Sequence, residues 1–378
     1  MPTLEQFKNA RSVLKGVIRE TSLIDSPALS KGCGNRVYLK PENMQVTGAY
    51  KIRGAYYKIS TLTQEQRERG LVTASAGNHA QGVAYAAQAA GVPATIVMPT
   101  TTPLVKVNNT KDYGAKVILH GEVFDESAEL AAKLAEEEGL TYIHPFNDLE
   151  VATGQGTIAY EIFQDLPDVD IILVPIGGGG LAAGVSTLAK LLNPNVTVIG
   201  DGTAVKTPGD KVFPYIRDHV DQIITIPDTE LVEAFLDVME KHKMVVENSG
   251  LLSVAALRHL SCQGLNVVCV LSGGNMDVIT MASLVQHGLI MRGRIFTFSV
   301  LLPDRPGALL SIADILAREN GNVIKLEHNQ FVNINRQSGV ELKVTLEAFG
   351  HDHKDRILEA LSQAGYQAHE VDTTDFYH

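Results

Sequence analysis

The sequence predicts an α/β protein, in which a long region of parallel sheet with covering helices is followed by a small separate domain. Two observations predict the first part. From residue 36 to residue 275, short apolar or β-branched runs ("RVYL", "LVTAS", "ATIVMP", "KVILHG", "IILVPIGG", "VTVIG", "NVVCVLSGG") alternate with helix-length amphipathic segments. Parallel strands joined by helical crossovers produce that alternation. Several of the strands also run into Gly or Ser clusters just ahead of a helix, the place where open α/β sheets hold ligands. A third observation, a change of pattern after "LIMRGR", predicts the second part.

In chain order, "MPTLEQFKNARSVLKG" reads as an amphipathic helix with scattered charges, unlike an apolar leader. The alternating region follows. After residue 293 come a strand "IFTFSVLL", a turn "PDRPGA", a helix "LLSIADILAREN" stopped by Gly321 and Asn322, strands "VIKLEHNQF" and "GVELKVTLEAF", a helix "KDRILEALSQAG" and a strand "QAHEV". That βαββαβ order is of the ferredoxin-like type, so the expected domains are 1–293 and 294–378.

With 378 residues, 45% hydrophobic and 20% charged, the chain can bury more than one core. Its net charge of -11 excludes nucleic acid and anionic membrane as main partners, because both need clustered basic surface. No stretch reaches the length of a membrane span, and a cytoplasmic location is expected. Cys33, Cys262 and Cys269 are odd in number and lack metal-ligand spacing; Cys269, inside "NVVCVLSGG", reads as a core residue. His351, Asp352 and His353 look like a metal cluster on paper but read as solvated residues in a loop before a helix, and no metal site is expected.

Four segments carry the chemistry. "VPIGGGGLAAG" sets Gly177, Gly178, Gly179 and Gly180 between an apolar strand and an alanine-rich helix, leaving backbone amides to cradle a phosphate at the positive end of a helix. It has neither the Lys-Ser/Thr of a nucleotide triphosphate loop nor dinucleotide spacing, so a small monophosphate cofactor fits better. "TASAGNHAQG" offers Ser75, Ala76, Gly77, Asn78 and His79, whose amides form an anion site suited to a carboxylate. "VLSGGNMD" ends the last strand of the series with Ser272, a neutral donor or acceptor. "TGAYKIRGA" places Lys51 beside Arg53, a pair that alone would be read as an exposed face.

Taken in order, "TGAYKIRGA", "SAGNHAQG", "GGGGLAAG" and "LSGGN" resemble the motifs of the fold-type II pyridoxal-phosphate enzymes, and among them the threonine dehydratases (threonine ammonia-lyases), over residues 4–290. The resemblance implies two open, twisted, parallel-type sheets, the smaller subdomain (about 47–149) inserted in the larger. It implies pyridoxal 5'-phosphate as cofactor, Lys51 as the Schiff-base lysine and general base, Asn78 at the ring hydroxyl, Gly177 to Gly180 around the phosphate and Ser272 at the pyridine nitrogen. The amides from Ser75 to His79 would hold the carboxylate of an amino-acid substrate. A serine in place of an aspartate at the ring nitrogen weakens the electron sink and favours prompt β-elimination.

Serine racemases, close relatives, resemble "SSGNH" at this loop and use the second serine as an acid/base; here that position is Ala76, which cannot move a proton. Glu247, in "VVENSG", resembles an acidic residue near the ring in this subgroup, and a helix-capping role is the other reading. A non-catalytic amino-acid sensor is the alternative of another class. The C-terminal segment resembles an ACT domain, a type that pairs across subunits and binds amino acids. Asp304, Pro306, Gly307, Ala308, Leu309 and Asn322 are therefore expected to meet an amino-acid effector, in a homodimer or homotetramer. The family's longer segment between "NVTVIG" and "DGTAVKTPGD" is missing here. The expectation is that a segment belongs between Gly200 and Asp201, because its loss would expose the surface beneath.

Overall fold

A computed structural model describes residues 2–202, 208–329 and 339–373. The chain divides into two compact units, Met1–Asp277 and Val278–His378.

The helices of the first unit are α1 (Leu4–Leu14), α2 (Pro27–Cys33), α3 (Lys51–Ser60), α4 (Gln64–Arg69), α5 (Asn78–Ala90), α6 (Leu104–Asp112), α7 (Phe124–Glu138), α8 (Leu149–Asp165), α9 (Gly180–Leu192), α10 (Phe213–His219), α11 (Asp228–His242) and α12 (Asn248–Ala255). Its strands are β1 (Ile24–Asp25), β2 (Arg36–Lys40), β3 (Leu71–Ala74), β4 (Ala94–Met98), β5 (Lys116–Leu119), β6 (Thr141–Tyr142), β7 (Ile171–Ile176), β8 (Thr197–Gly202), β9 (Gln222–Ile224) and β10 (Asn266–Val270). They form a six-stranded sheet in the order β1-β2-β10-β7-β8-β9 and a four-stranded sheet in the order β5-β4-β3-β6. The small sheet is wholly parallel. The large one is mixed, since β1 runs antiparallel to β2, which corrects the expectation of two parallel sheets. A two-residue edge strand carries too little pattern to be read from sequence.

The seven apolar runs are β2, β3, β4, β5, β7, β8 and β10. Those at the centre are buried on both faces, as β3 and β10 are throughout, because helices cover parallel sheets on both sides. The main core packs Val174, Val198, Val268 and Val270 of the large sheet against Ile158, Val185 and Leu188 of α8 and α9. Cys269 is fully buried, and burial pushes its thiol pKa well up.

Gly200 and Asp201 are consecutive residues of one unbroken strand: Gly200 pairs with Val174, and Asp201 with Pro175 on one side and Ile224 on the other. The chain thus runs directly from Gly200 to Asp201, with β9 paired to β8 beside them.

The second unit comprises α13 (Val278–Met291), β11 (Ile295–Leu302), α14 (Ala308–Arg318), β12 (Asn322–Asn329), β13 (Val340–Glu347), α15 (His351–Gln363) and β14 (His369–Val371). From β11 onward the order is βαββαβ, in an antiparallel sheet β12-β13-β11-β14. Phe296, Phe298, Leu342, Val344, Ile312 and Ile357 fill its core. The unit begins at Val278, ahead of the change of pattern at 293, because Met281, Val285 and Leu289 of α13 share an apolar cleft with Ile295 and Ile324.

His351, Asp352 and His353 lie in the first turn of α15 rather than in a loop before it; His351 and Asp352 are exposed, as the solvated reading expects, and only the buried His353 departs from it. His351 Nε2 donates to the Met291 carbonyl at 3.0 Å, and His353 Nε2 donates to the Glu319 carbonyl at 2.6 Å while its Nδ1 accepts the Phe349 N–H. Among the described residues no helix is long and apolar enough to cross a membrane.

Candidate active site

Strands β2, β10 and β7 are parallel neighbours, so their carboxyl ends release three loops side by side. The chain leaving β2 reaches Lys51, that leaving β10 reaches Ser272, and that leaving β7 enters the glycine run. The first two loops are tied directly: Ala49 and Gly273 form an isolated antiparallel bridge, the Tyr50 N–H donates to the Ser272 carbonyl at 3.1 Å, and the Gly274 N–H to Gly48 at 2.9 Å. Two further loops come from the small sheet, "SAGNH" after β3 and "IHPF" after β6. Ligands collect at such carboxyl ends because the crevice there is lined by loop amides and helix starts.

A cavity of about 250 Å³ sits among these loops, and Lys51, Asn78, Gly177, Gly178, Gly179, Gly180, Glu247 and Ser272 all line it. Lys51 is the first residue of α3 and its Nζ donates to the Pro145 carbonyl at 2.8 Å. Gly179, with φ 102°, is the N-cap of α9, and no side chain caps that helix. Its first-turn amides thus have no intrahelical acceptor and would meet an anion with the favourable end of the helix dipole.

Asn78 Nδ2 donates to Glu247 Oε1 at 2.6 Å, and its Oδ1 accepts from Asn275 at 2.9 Å, leaving the second Nδ2 hydrogen for a ligand. Glu247 occupies the N-cap position of α12 without a side-chain bond to its amides, accepts from Ser249 Oγ at 3.1 Å and lines the cavity. A Cβ on Gly273 would lie 2.5 Å from Glu247 Oε1, so only glycine permits this approach.

The carboxylate loop is brought in only partly. Ser75, Ala76, Gly77 and His79 adjoin Asn78 but do not line the cavity, and two of the expected amides are engaged: Ser75 N–H pairs with Val97 in the sheet, and Gly77 N–H donates to Ser75 Oγ at 3.2 Å. Ala76, Asn78 and His79 retain amides at the start of α5. The His79 ring is buried: Nε2 donates to the Ile143 carbonyl at 3.0 Å and Nδ1 has no partner among the described residues. Burial first, then the charge of Lys51, lowers its pKa to about 3, so the ring is neutral.

Sequence reasoning missed Tyr50, Phe146, Pro175, Leu181 and Ser249, which complete the lining. The "HPF" of residues 144–146 follows a two-residue strand, too short to mark a strand end by pattern. Arg53 was also misjudged by its surface reading. It is fully buried, gripping Glu42 through Nε (2.8 Å) and Nη2 (2.7 Å) and Glu161 through Nη1 (2.6 Å), while Lys40 pairs with Glu161 as well. Burial pushes the Glu161 carboxyl up, but Arg53 and Lys40 outweigh it and hold the pKa at about 2.

In the second unit, Asp304, Pro306, Gly307, Ala308 and Leu309 form the turn into α14, with Gly307 at φ 91°. Asn322 is not brought to them. It pairs with Glu347, which pairs with Ile295 at the start of β11, whereas the turn follows Leu302 at its end, roughly 23 Å away at strand rise. An eight-residue strand separates the two, so a single site within one chain cannot use both.

A lysine at a helix start, uncapped glycine amides, and neutral Asn and Ser side chains around one small cavity define an enzyme site for a phosphate-bearing aldehyde cofactor. Residues 14–200 match the family described as pyridoxal-phosphate dependent enzyme. The chain is 42% identical over 396 residues to the L-threonine ammonia-lyase of Thermotoga maritima, covering 97% of this chain and 99% of that protein. Threonine deaminase isoform 2 of Solanum lycopersicum superposes with a TM-score of 0.70 at 34% identity, covering 75% of this chain and 88% of the other. Serine racemase of Dictyostelium discoideum does so with 0.70 at 30%, covering 73% and 99%. The chain belongs to the pyridoxal-phosphate dependent enzyme family. Its residues fit the cofactor, since the donor set has an amine for the aldehyde, amides for the phosphate and a neutral hydroxyl for the ring nitrogen.

Proposed function

We propose that this enzyme is an L-threonine ammonia-lyase, converting L-threonine, and L-serine as well, to 2-oxobutanoate (or pyruvate) and ammonia. The observation that carries the reading is the convergence of Lys51, Asn78, Gly177 to Gly180 and Ser272 on one cavity. When bound, pyridoxal phosphate supplies an aldehyde for an amine and a sink for the electrons of a breaking Cα–H bond. In this reading Lys51 carries the cofactor and, once released, takes the Cα proton at Nζ. The glycine amides and the start of α9 would hold the phosphate, Ser272 would meet the ring nitrogen with a neutral hydroxyl, and the amides of Ala76, Asn78 and His79 would receive the substrate carboxylate. Ala76, with no proton to give, leaves the far face of Cα without a base, which supports elimination over racemisation.

The C-terminal unit is read as an ACT-type regulatory domain (residues 294–378) beside a catalytic region (1–293). Its βαββαβ order and the Asp304–Leu309 turn support this. The turn would take an amino-acid effector, with Asn322 contributing only from another subunit of a homodimer or homotetramer. A cytoplasmic location belongs to the same reading.

The experiment is direct. The purified protein should be yellow, with a visible band bleached by borohydride, and should release 2-oxobutanoate from threonine; Lys51→Ala should abolish both while leaving the circular dichroism spectrum unchanged. A colourless protein that binds amino acids without turnover would establish the sensor instead.

A further inference from the structure

The carbonyl that receives Lys51 is itself held by a side chain. Pro145 follows His144, and the His144 Nδ1 accepts the N–H of Phe146 at 3.3 Å and of Asn147 at 2.9 Å. The chain therefore turns around Pro145 with the imidazole as the acceptor. The same ring meets Phe146 edge-on, with centroids 4.8 Å apart at 84°. Phe146 in turn lies against the glycine loop, where a Cβ on Gly178 would fall 2.2 Å from the Phe146 ring. Just upstream, the Ile143 carbonyl is fixed by Thr73 Oγ1 at 2.7 Å and by His79 Nε2 at 3.0 Å. One neutral ring thus joins the acceptor of the Lys51 amine to the phosphate loop.

We infer that His144 is a positioning residue for Lys51: its Nδ1 shapes the loop so that the Pro145 carbonyl receives the lysine amine whenever that amine is not attached to the cofactor. The inference rests on the role proposed above for Lys51. A lysine side chain has four rotatable bonds, and a fixed acceptor selects one arrangement from many, which matters for a base that must meet one proton. The role requires an unprotonated Nδ1. Burial, first, keeps the ring pKa below its ordinary value; Lys211 and Lys51 act in the same direction and Asp148 and Asp210 against it, while Tyr142 packs alongside with centroids 5.9 Å apart.

Two variants of the full-length holoenzyme test this. His144→Asn sets an acceptor oxygen near the place of Nδ1, whereas His144→Phe keeps the ring and its contact with Phe146 but cannot accept. Each is compared with wild type by kcat and KM for threonine, by the pH midpoint of the borohydride-sensitive band, and by thermal midpoint. His144→Phe is expected to lower kcat about tenfold with KM changed less than about twofold, and to shift the band's midpoint by roughly half a pH unit. His144→Asn should restore most of both. The inference is overturned if His144→Phe keeps the wild-type kcat and midpoint, if His144→Asn is as impaired as His144→Phe, or if the lost activity is accounted for by unfolding at the assay temperature. A wild-type protein that is colourless or inert towards threonine would overturn the proposed function instead.

Discussion

Asn78 Nδ2 lies 2.6 Å from Glu247 Oε1, and this hydrogen bond joins the start of α5 to the residue ahead of α12, both lining the cavity. Glu247→Ala should free the Asn78 amide and lower kcat about tenfold, with Glu247→Gln less affected because it keeps an acceptor oxygen. Steady-state rates and cofactor titration check this; equal losses in both variants would assign the effect to charge.

Arg53 anchors the first turn of α3, which carries Lys51 at the end of the helix where a cation is least welcome. Arg53→Met leaves Glu42 and Glu161 buried with only Lys40 to offset them, and should cost about 3–5 kcal/mol of stability. Denaturant unfolding measures it, and a loss below about 1 kcal/mol would mean the network does not anchor the helix.

Asp201 is buried, neither of its oxygens has a partner among the described residues, and burial, its largest influence, raises its pKa to about 7. A carboxyl whose folded pKa lies above its unfolded value near 4 holds extra protons in the native state, so stability falls as pH rises from about 4 to 7. Asp201→Asn should therefore raise the thermal midpoint at pH 8 and leave it nearly unchanged at pH 4. A gain of equal size at both values would exclude ionisation as the cause.

Ala76 adjoins Asn78 in the carboxylate loop. Supplying a hydroxyl there, Ala76→Ser should add slow formation of D-serine from L-serine while dehydration continues. Chiral analysis of the amino-acid pool decides it, and an absence of D-serine in a well-folded variant would show that the hydroxyl alone does not make the second base.

Removing residues 278–378, at the division between the units, should leave threonine turnover but abolish any response to isoleucine, valine or serine. Regulation needs an effector with different affinities for two states, and a separately folded unit that pairs between subunits can supply them. Rate curves with and without each amino acid, on whole and truncated protein, test it; a surviving response would place the effector site in the first unit.

Local pattern was enough for the strands of the sheet centres and for the glycine loop, because strands buried on both faces need continuous apolar runs and amides that meet an anion need uncapped helix starts, whereas Lys51, a surface residue by pattern alone, was singled out by the order of the family's motifs. It was also enough to order the C-terminal βαββαβ unit, whose strands and helices each have their own period. Tertiary structure decided the rest. β1, β6 and β9 have two or three residues each and exist only because a neighbouring strand offers its edge. Arg53 looked like surface because its partners Glu42 and Glu161 are 11 and 108 residues away. His144, Pro145 and Phe146 carry no motif of their own, and their bearing on Lys51, 94 residues distant from Pro145, arises only when β6 sets the loop across the mouth of the large sheet. A sequence shows what each segment can pair with; which partner it meets is decided when the whole chain closes around one core.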